Sequence, residues 1–390
     1  MARQPHAGRF PTAARAAGRA VTWECSLCAG RRVQLWPVAA LAGSLALMTG
    51  KWMSMTETRS PTITDVAALA GVSIGTVSKA LNGRGQLRPE TRDRVVAAAE
   101  QLRFQPNPLA RGLLTGRTFT VGLITADSFG RFTIPVMLGA EDALGQGQMS
   151  VLLCDGRGDP IREQHYVRTL LSRKVDGIIV TGRRTDPRPP IAPDLPVPVV
   201  YVMTQAENSD SLCLIPDDQQ GGEIAVRHLI TGGRTRIAHI TGPDRFLSAR
   251  QRAAGARKTI SEAGLEMATG QVMFGEWTEA WGRQAAHAVL RADPATDAIF
   301  CGSDQIARGV ADALRDSGRR IPDDIALVGY DNWDVFAPTS RPPLTTVDMG
   351  LEELGRVAAR RLLAAMESDP PQGLELMPCH LVIRESSGVA

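Results

Sequence analysis

The sequence has few of the features that mark membrane, disulfide-stapled or catalytic proteins. Its apolar run Val38–Met48 is eleven residues long, short of the roughly 20 that a bilayer demands. Cysteine is sparse and scattered. Cys154, Cys213, Cys301 and Cys379 stand far apart, three of them in apolar runs. They read as buried thiols in a reducing, cytoplasmic setting rather than as a disulfide framework. Cys25 and Cys28 form a lone Cys-x-x-Cys with no second ligand pair after it, so no zinc site is expected. There is no P-loop and no His/Glu cluster at metal spacing, and no catalytic set is expected. An enzyme would rest on fold analogy alone, and no cofactor is called for. Aromatic residues make up only 5% of the chain, and three of the six Trp fall at 23, 36 and 52.

What is present is an ordinary soluble composition, 43% hydrophobic and 22% charged, over a length that suits two or three domains. The net charge of +3 hides an uneven distribution. Residues 1–60 hold eight basic and two acidic side chains, and residues 61–117 eight and four. Residues 118–390 hold 28 and 35, a net of −7. A basic small segment on an acidic body points to a polyanionic partner for the small segment only.

Residues 1–55 do not read as a folded domain. Arg31-Arg32 ahead of the apolar run is similar to a twin-arginine export signal. No A-x-A-like site follows the run, however, and a folded helical pattern begins soon after it. The favoured expectation is that translation starts at Met53 or Met55.

That pattern is TITDVAALAGVSIGTVSKALNG, Thr62 to Gly83. Val66, Ala67, Ala70, Val77 and Leu81 recur at helical spacing and give two short helices a shared apolar seam. Gly71 falls where a tight turn needs positive φ. Thr62 with Asp65 is a capping-box variant, and Ser73 can cap the second helix. The spacing predicts a helix-turn-helix, with a plain helical hairpin as the alternative. Pro89 opens a third helix whose apolar face is expected at Val95, Val96, Ala99 and Leu102. Beyond Pro106, Asn107 to Leu114 could form a short helix that needs an outside support, or serve as a linker.

From Phe119 onward apolar strands alternate with helices, which predicts parallel sheets with helices on both faces. The length suggests two lobes. One long final strand is expected over 375–383. In such folds ligands bind beyond the carboxyl ends of strands. Asp127, Phe132, Trp277, Ser303, Asp304 and Asp331 all follow strands, and they converge if the lobes pack mouth to mouth.

With these residues in place, the chain resembles the lactose-repressor (LacI) family of bacterial transcription regulators. The likeness is carried by DVAALAGVSIGTVSKALNG, by RFQPNPLARGLLTGRT, by VDGIIVTG, and by SARQRAAG, DAIFCGSDQIARG, DIALVGYDNWD and PPLTTV. The resemblance implies a helix-turn-helix head over residues 60–104, a hinge over 105–118, and a two-lobed core over 119–385. That core would be periplasmic-binding-protein-like, with three crossings between its lobes. It implies a homodimer that binds a double-stranded DNA operator, without a membrane partner, and a small effector in the cleft that controls operator affinity. Ile74, Gly75 and Lys79 fall on base-reading positions. Thr62, Ser73, Thr76 and Asn82 fall on backbone-holding ones, and Leu113 on the minor-groove wedge. Arg252 and Asp331 match the effector-holding pair, and Trp277 a stacking position. Asp127, Phe132, Ser248 and Ser303 match pocket-lining positions. Together they suit a sugar; a nucleobase is the other effector class the family implies. An exported solute-binding protein is the competing function.

Overall fold

In a computed structural model the described residues are 61–81, 86–104, 117–145, 149–192, 194–207, 210–367 and 372–388. The chain divides into two units, Met1–Pro106 and Asn107–Ala390. Asn82, Leu113, Cys25 and Cys28 lie outside the described residues, as does almost all of the expected hinge.

The small unit holds three helices, α1 (Ile63–Ala70), α2 (Ile74–Leu81) and α3 (Pro89–Gln101). The capping box at α1 is formed, with the Thr62 amide donating to Asp65 Oδ2 at 2.7 Å. Gly71 takes φ +63°, which a side chain rarely adopts, and the chain turns there into α2. Val66, Ala67, Ala70, Val77, Ala80, Val95, Ala98 and Ala99 fill the core. Small residues dominate, so three short helices can approach closely. One expectation is corrected: Val96 is 37% exposed, and Ala98 takes the inward position. Val95, Ala98, Ala99 and Leu102 share one helical stripe, and Val96 lies a quarter-turn off it.

The large unit has two sheets. In the first lobe the strands are β1 (Thr120–Thr125), β2 (Ser150–Asp155), β3 (Gly177–Thr181), β5 (Val199–Val202), β7 (Leu212–Pro216) and β13 (Gly373–Met377). They run parallel in the order β13-β7-β5-β3-β1-β2. Its helices are α4 (Thr133–Gly145), α5 (Pro160–Ser172) and α10 (Leu351–Ala365). The second lobe orders its strands β14-β12-β11-β10-β8-β9. These are β8 (Ile237–Thr241), β9 (Met273–Phe274), β10 (Ala298–Cys301), β11 (Ala326–Tyr330), β12 (Thr345–Asp348) and β14 (His380–Val382). Only β14 is antiparallel to its neighbour. Helices α6 (Asp218–Thr231), α7 (Leu247–Glu262), α8 (Glu279–Ala292) and α9 (Asp304–Asp316) flank this sheet. A two-residue parallel ribbon joins β4 (Pro187–Arg188), which lies between β3 and β5, to β6 (Gln205–Ala206), which follows β5. The chain passes between lobes three times: after β7, after β12, and between β13 and β14.

The single strand expected over 375–383 is two strands in different sheets, parted at Pro378 where the chain crosses. Strands β7 and β12 were not expected. The first is a short apolar run directly followed by Asp217 and Asp218; the second opens with two threonines, both fully buried. Cys213, Cys301 and Cys379 are buried free thiols, while Cys154, on edge strand β2, is only half-buried. Among the described residues no helix is long and apolar enough to cross a membrane.

Candidate functional site

In the small unit α2 carries Ile74, Gly75 and Lys79 on its exposed side. Ile74 leaves 49% of its surface to solvent, a cost accepted nowhere else on this helix. A Cβ added to Gly75 would meet only Ser73 Oγ, at 3.8 Å. Packing therefore does not require glycine there, and the blank position is a feature of the surface. Ser73 Oγ accepts the Thr76 amide at 3.2 Å and lies 2.9 Å from Thr76 Oγ1, so these two hydroxyls are already engaged with each other. Thr62 Oγ1 donates to Asp65 Oδ2 at 2.6 Å. Gly71 to Gly75 also spells G-x-S-x-G, a pattern that the expectation of no catalytic set passed over. It is no nucleophile elbow: Ser73 joins two helices rather than following a strand, and its hydroxyl meets Thr76 instead of a histidine.

In the large unit the carboxyl ends of β1 and β3 face those of β8, β10 and β11 across a cavity of about 620 Å³. That volume lies in the range of about 300–1,000 Å³ typical of small-molecule sites. Of the residues expected from the sequence, Asp127, Phe132, Ser248, Arg252, Trp277, Ser303 and Asp331 line it, while Asp304 is fully buried and does not. Five of the chain's few aromatic rings line it too, with Phe129, Phe246 and Trp333 joining Phe132 and Trp277.

Arg252 is the best-anchored group. Helix α7 places it four residues after Ser248, on the same face. Its Nε donates to Asp218 Oδ1 at 2.8 Å and its Nη1 to the Gly302 carbonyl at 2.6 Å. Asp331 Oδ1 is 3.7 Å away, and the guanidinium lies 3.6 Å from the Tyr330 ring centroid. Tyr330 in turn donates to Asp218 Oδ1 at 3.0 Å. Burial works against the arginine's charge, but Asp218, Tyr330 and Asp331 outweigh it and hold the pKa above the ordinary value. Trp277 stands where it does because Gly242 leaves room: a Cβ at Gly242 would come within 2.1 Å of the indole.

Asp331 sits at φ +106°, an uncommon backbone for a non-glycine residue. Its carboxylate pairs with Arg131, which comes from the β1–α4 loop of the opposite lobe. Arg131 lies between two rings, 4.3 Å from Trp333 and 4.9 Å from Phe132. A second interlobe contact runs from the Leu247 amide at the start of α7 to Asp186 Oδ1 at 2.9 Å. Beneath the floor, burial and then the charge of Asp331 push the Asp304 carboxyl up to about 7. Burial likewise raises Asp331, against the pull of Arg131 and Arg252.

Two of the lining residues also serve the fold. Asp127 Oδ2 accepts the Phe132 and Thr133 amides at 2.8 and 3.2 Å, and Ser303 Oγ accepts the Ile306 amide at 3.2 Å. Both cap helices at strand ends. Sequence reasoning missed Arg131, Arg183, Arg184 and Asp218. The first three follow strands, so the strand-end rule could have found them. Asp218 follows β7, a strand that the sequence pattern did not reveal, and its partner is 34 positions away. No group of three His, Cys, Asp or Glu is placed to hold a metal among the described residues.

Comparison with known proteins agrees over most of the chain. Residues 62–107 match the model of the bacterial regulatory proteins of the lacI family, and residues 226–387 that of the periplasmic binding protein-like domain. The HTH-type transcriptional regulator CelR of Thermobifida fusca is 35% identical over 342 residues, spanning 85% of this chain and 100% of its own. The ribose operon repressor of Escherichia coli (strain K12) is 34% identical over 299 residues, 76% of this chain and 90% of its own. Among solved structures, the lac repressor dimer bound to operator and the anti-inducer ONPF is similar with a TM-score of 0.65 at 27% identity. The match covers 84% of this chain and 99% of that one. The CelR–cellobiose complex is similar with a TM-score of 0.58 at 34% identity, with the same coverage of each chain. The chain belongs to the lacI family of bacterial regulatory proteins, DNA-binding regulators of transcription.

Proposed function

We propose that this regulator is a homodimeric, cytoplasmic repressor whose hold on its operator is set by a saccharide in the interlobe cleft. The observation that carries the reading is the floor of the cavity. Arg252 is fixed beside Asp331 under aromatic walls, and that set suits a ring with vicinal hydroxyls. A fixed guanidinium and a carboxylate can each hold two hydroxyls, while flat rings cover the apolar face of the sugar. The relatives support the class, since one solved neighbour is a complex with cellobiose and one relative is a ribose operon repressor. Pairing of two copies is supported by apolar side chains left exposed on adjoining elements of the first lobe, Ile134 and Leu138 on α4 and Leu153 on β2.

On DNA, α2 is read as the major-groove helix. Ile74 offers apolar contact to a thymine methyl and Lys79 donates to guanine or phosphate, with Gly75 silent. Thr62, Ser73, Thr76 and Asn82 hold the backbone. The hinge over 105–118 brings Leu113 to the minor groove. The saccharide favours one angle between the lobes and the operator the other, so each ligand weakens or strengthens the other by the same factor. Nothing in this scheme calls for catalysis, and the protein acts by binding alone.

The experiment is to select operator fragments with the full chain, then follow release under mono- and disaccharides, cellobiose and ribose first. Arg252→Ala should still bind the operator and no longer respond. A normal response in that variant removes the cleft from the switch, and a response to nucleobases but to no saccharide moves the ligand class.

A further inference from the structure

Charge is not balanced around the cleft. Four arginines line it: Arg131, Arg183, Arg184 and Arg252. Two are answered by carboxylates, Arg252 by Asp218 and Asp331, and Arg131 by Asp331. The other two are not. Among the described residues Arg183 makes no ion pair or side-chain hydrogen bond, and Arg184 meets only the face of the Phe246 ring, 4.3 Å away. The nearby carboxylates make no ion pair with either of them. Asp186, on the same loop, accepts the Leu247 amide, and Asp127 accepts the Phe132 and Thr133 amides.

The two unanswered arginines follow β3 at the mouth of the cavity, where they are exposed; Arg252 and Asp331 are buried at its floor. Hydrated guanidinium groups rest there at little cost, and their planar forks match phosphate and carboxylate geometry. Asp331 sets the opposite condition at the floor, where an incoming anion would face a carboxylate in a poorly solvated place. The cavity thus has a polarity: hydroxyl-binding groups inside, uncompensated positive charge at the entrance.

We infer that the ligand of this cleft is an anionic saccharide, bearing a phosphate or a carboxylate that docks on Arg183 and Arg184 while its hydroxyls reach Arg252 and Asp331. The inference rests on the saccharide reading above and adds the charge and the orientation. Neighbouring cations at a cavity mouth also steer an anion inward.

The test is calorimetric titration of the full chain at constant ionic strength with glucose, glucose 6-phosphate, glucuronate and inorganic phosphate. It is run on the wild type and on the Arg183→Gln/Arg184→Gln double variant. At least one anionic sugar should bind the wild type about tenfold or more tightly than glucose, as a charge-assisted hydrogen bond or two would give. In the double variant the anionic and neutral sugars should bind alike, and the wild-type advantage should shrink with added salt. Comparison of the two anionic sugars says which group the arginines take. Glucose binding as tightly as both anionic sugars, or an advantage that survives in the double variant, overturns the inference and leaves the saccharide reading standing. Inorganic phosphate binding as tightly as glucose 6-phosphate marks an adventitious anion only and overturns it as well. If none of these sugars binds the wild type, the inference falls, and the saccharide reading falls with it when cellobiose and ribose fail as well.

Discussion

The two lobes meet the same cavity with different kinds of wall. The second lobe supplies Arg252 and Asp331, both buried and tied to several partners, with Asp218 and Tyr330 behind them. The first lobe supplies Arg131, Arg183 and Arg184, all on loops, with at most one carboxylate among them as a partner. A wall whose side chains are locked by buried partners holds a ligand in one pose. A wall of loop arginines can move with the lobe that carries it. Under the proposed function, the difference would give orientation of the ligand to the second lobe and sensing of closure to the first. Arg131 links the two, pairing across the cleft with Asp331.

The contrast is broken most sharply at Asp218. Asp218→Ala leaves Arg252 charged and buried with its main partner gone, and removing one member of a buried pair costs about 3–5 kcal/mol. Chemical denaturation should show a loss of that size. A loss under about 1 kcal/mol, the range of exposed pairs, would mean the second-lobe wall is no more rigid than the first.

Asp304→Asn sharpens it through pH. The folded Asp304 keeps a proton up to about pH 7, whereas an unfolded chain releases it near the ordinary carboxylate value of about 4. Wild-type stability therefore falls as pH rises through that window, by up to about 1.4 kcal/mol per pH unit from this group. The variant should lose that slope. Denaturation midpoints of the two proteins that run parallel from pH 4 to 8 would contradict the buried-acid description of the floor.

Arg131→Ala should have the smallest effect on stability, about 1–3 kcal/mol as for a buried group that loses one partner, because Arg252 still answers Asp331. Its signature lies in motion. Hydrogen exchange should quicken around Asp331 and in the β1–α4 loop, and small-angle scattering should report a more open core. Unchanged exchange in both segments would show that the interlobe pair does not hold the cleft at this angle.

The head and the cleft also differ in how far they could be read from residue order. At the head, hydrogen bonds described around the two short helices close within four positions, Thr62 with Asp65 and Ser73 with Thr76, and Gly71 turns between two apolar stripes. Helical periodicity and capping chemistry carry such contacts directly, and only Val96 misled, by a quarter-turn. In the cleft the strand-end rule found five lining residues, Asp127, Phe132, Trp277, Ser303 and Asp331, and the family likeness added Ser248 and Arg252. It did not find Asp218, which begins a helix and looks like an ordinary first-turn acid. It did not find β12 either, because Thr345 and Thr346 look polar. Their burial is permitted by Ser386, Ser387 and Asp304, which answer their amide and hydroxyls from distant parts of the chain.

Residue order by itself determined the helix-turn-helix, the βα alternation, the basic head on an acidic body, and the family likeness. Those rest on interactions of short range or on composition. The tertiary structure alone decided which arginines are neutralised and which are left with free charge, because ion pairing depends on distance through space. Asp331 and Arg131 are separated by 200 positions and meet in one bond, while Arg183 and Arg184 make no ion pair with the aspartate two or three positions away, which turns one oxygen to a backbone amide of the other lobe.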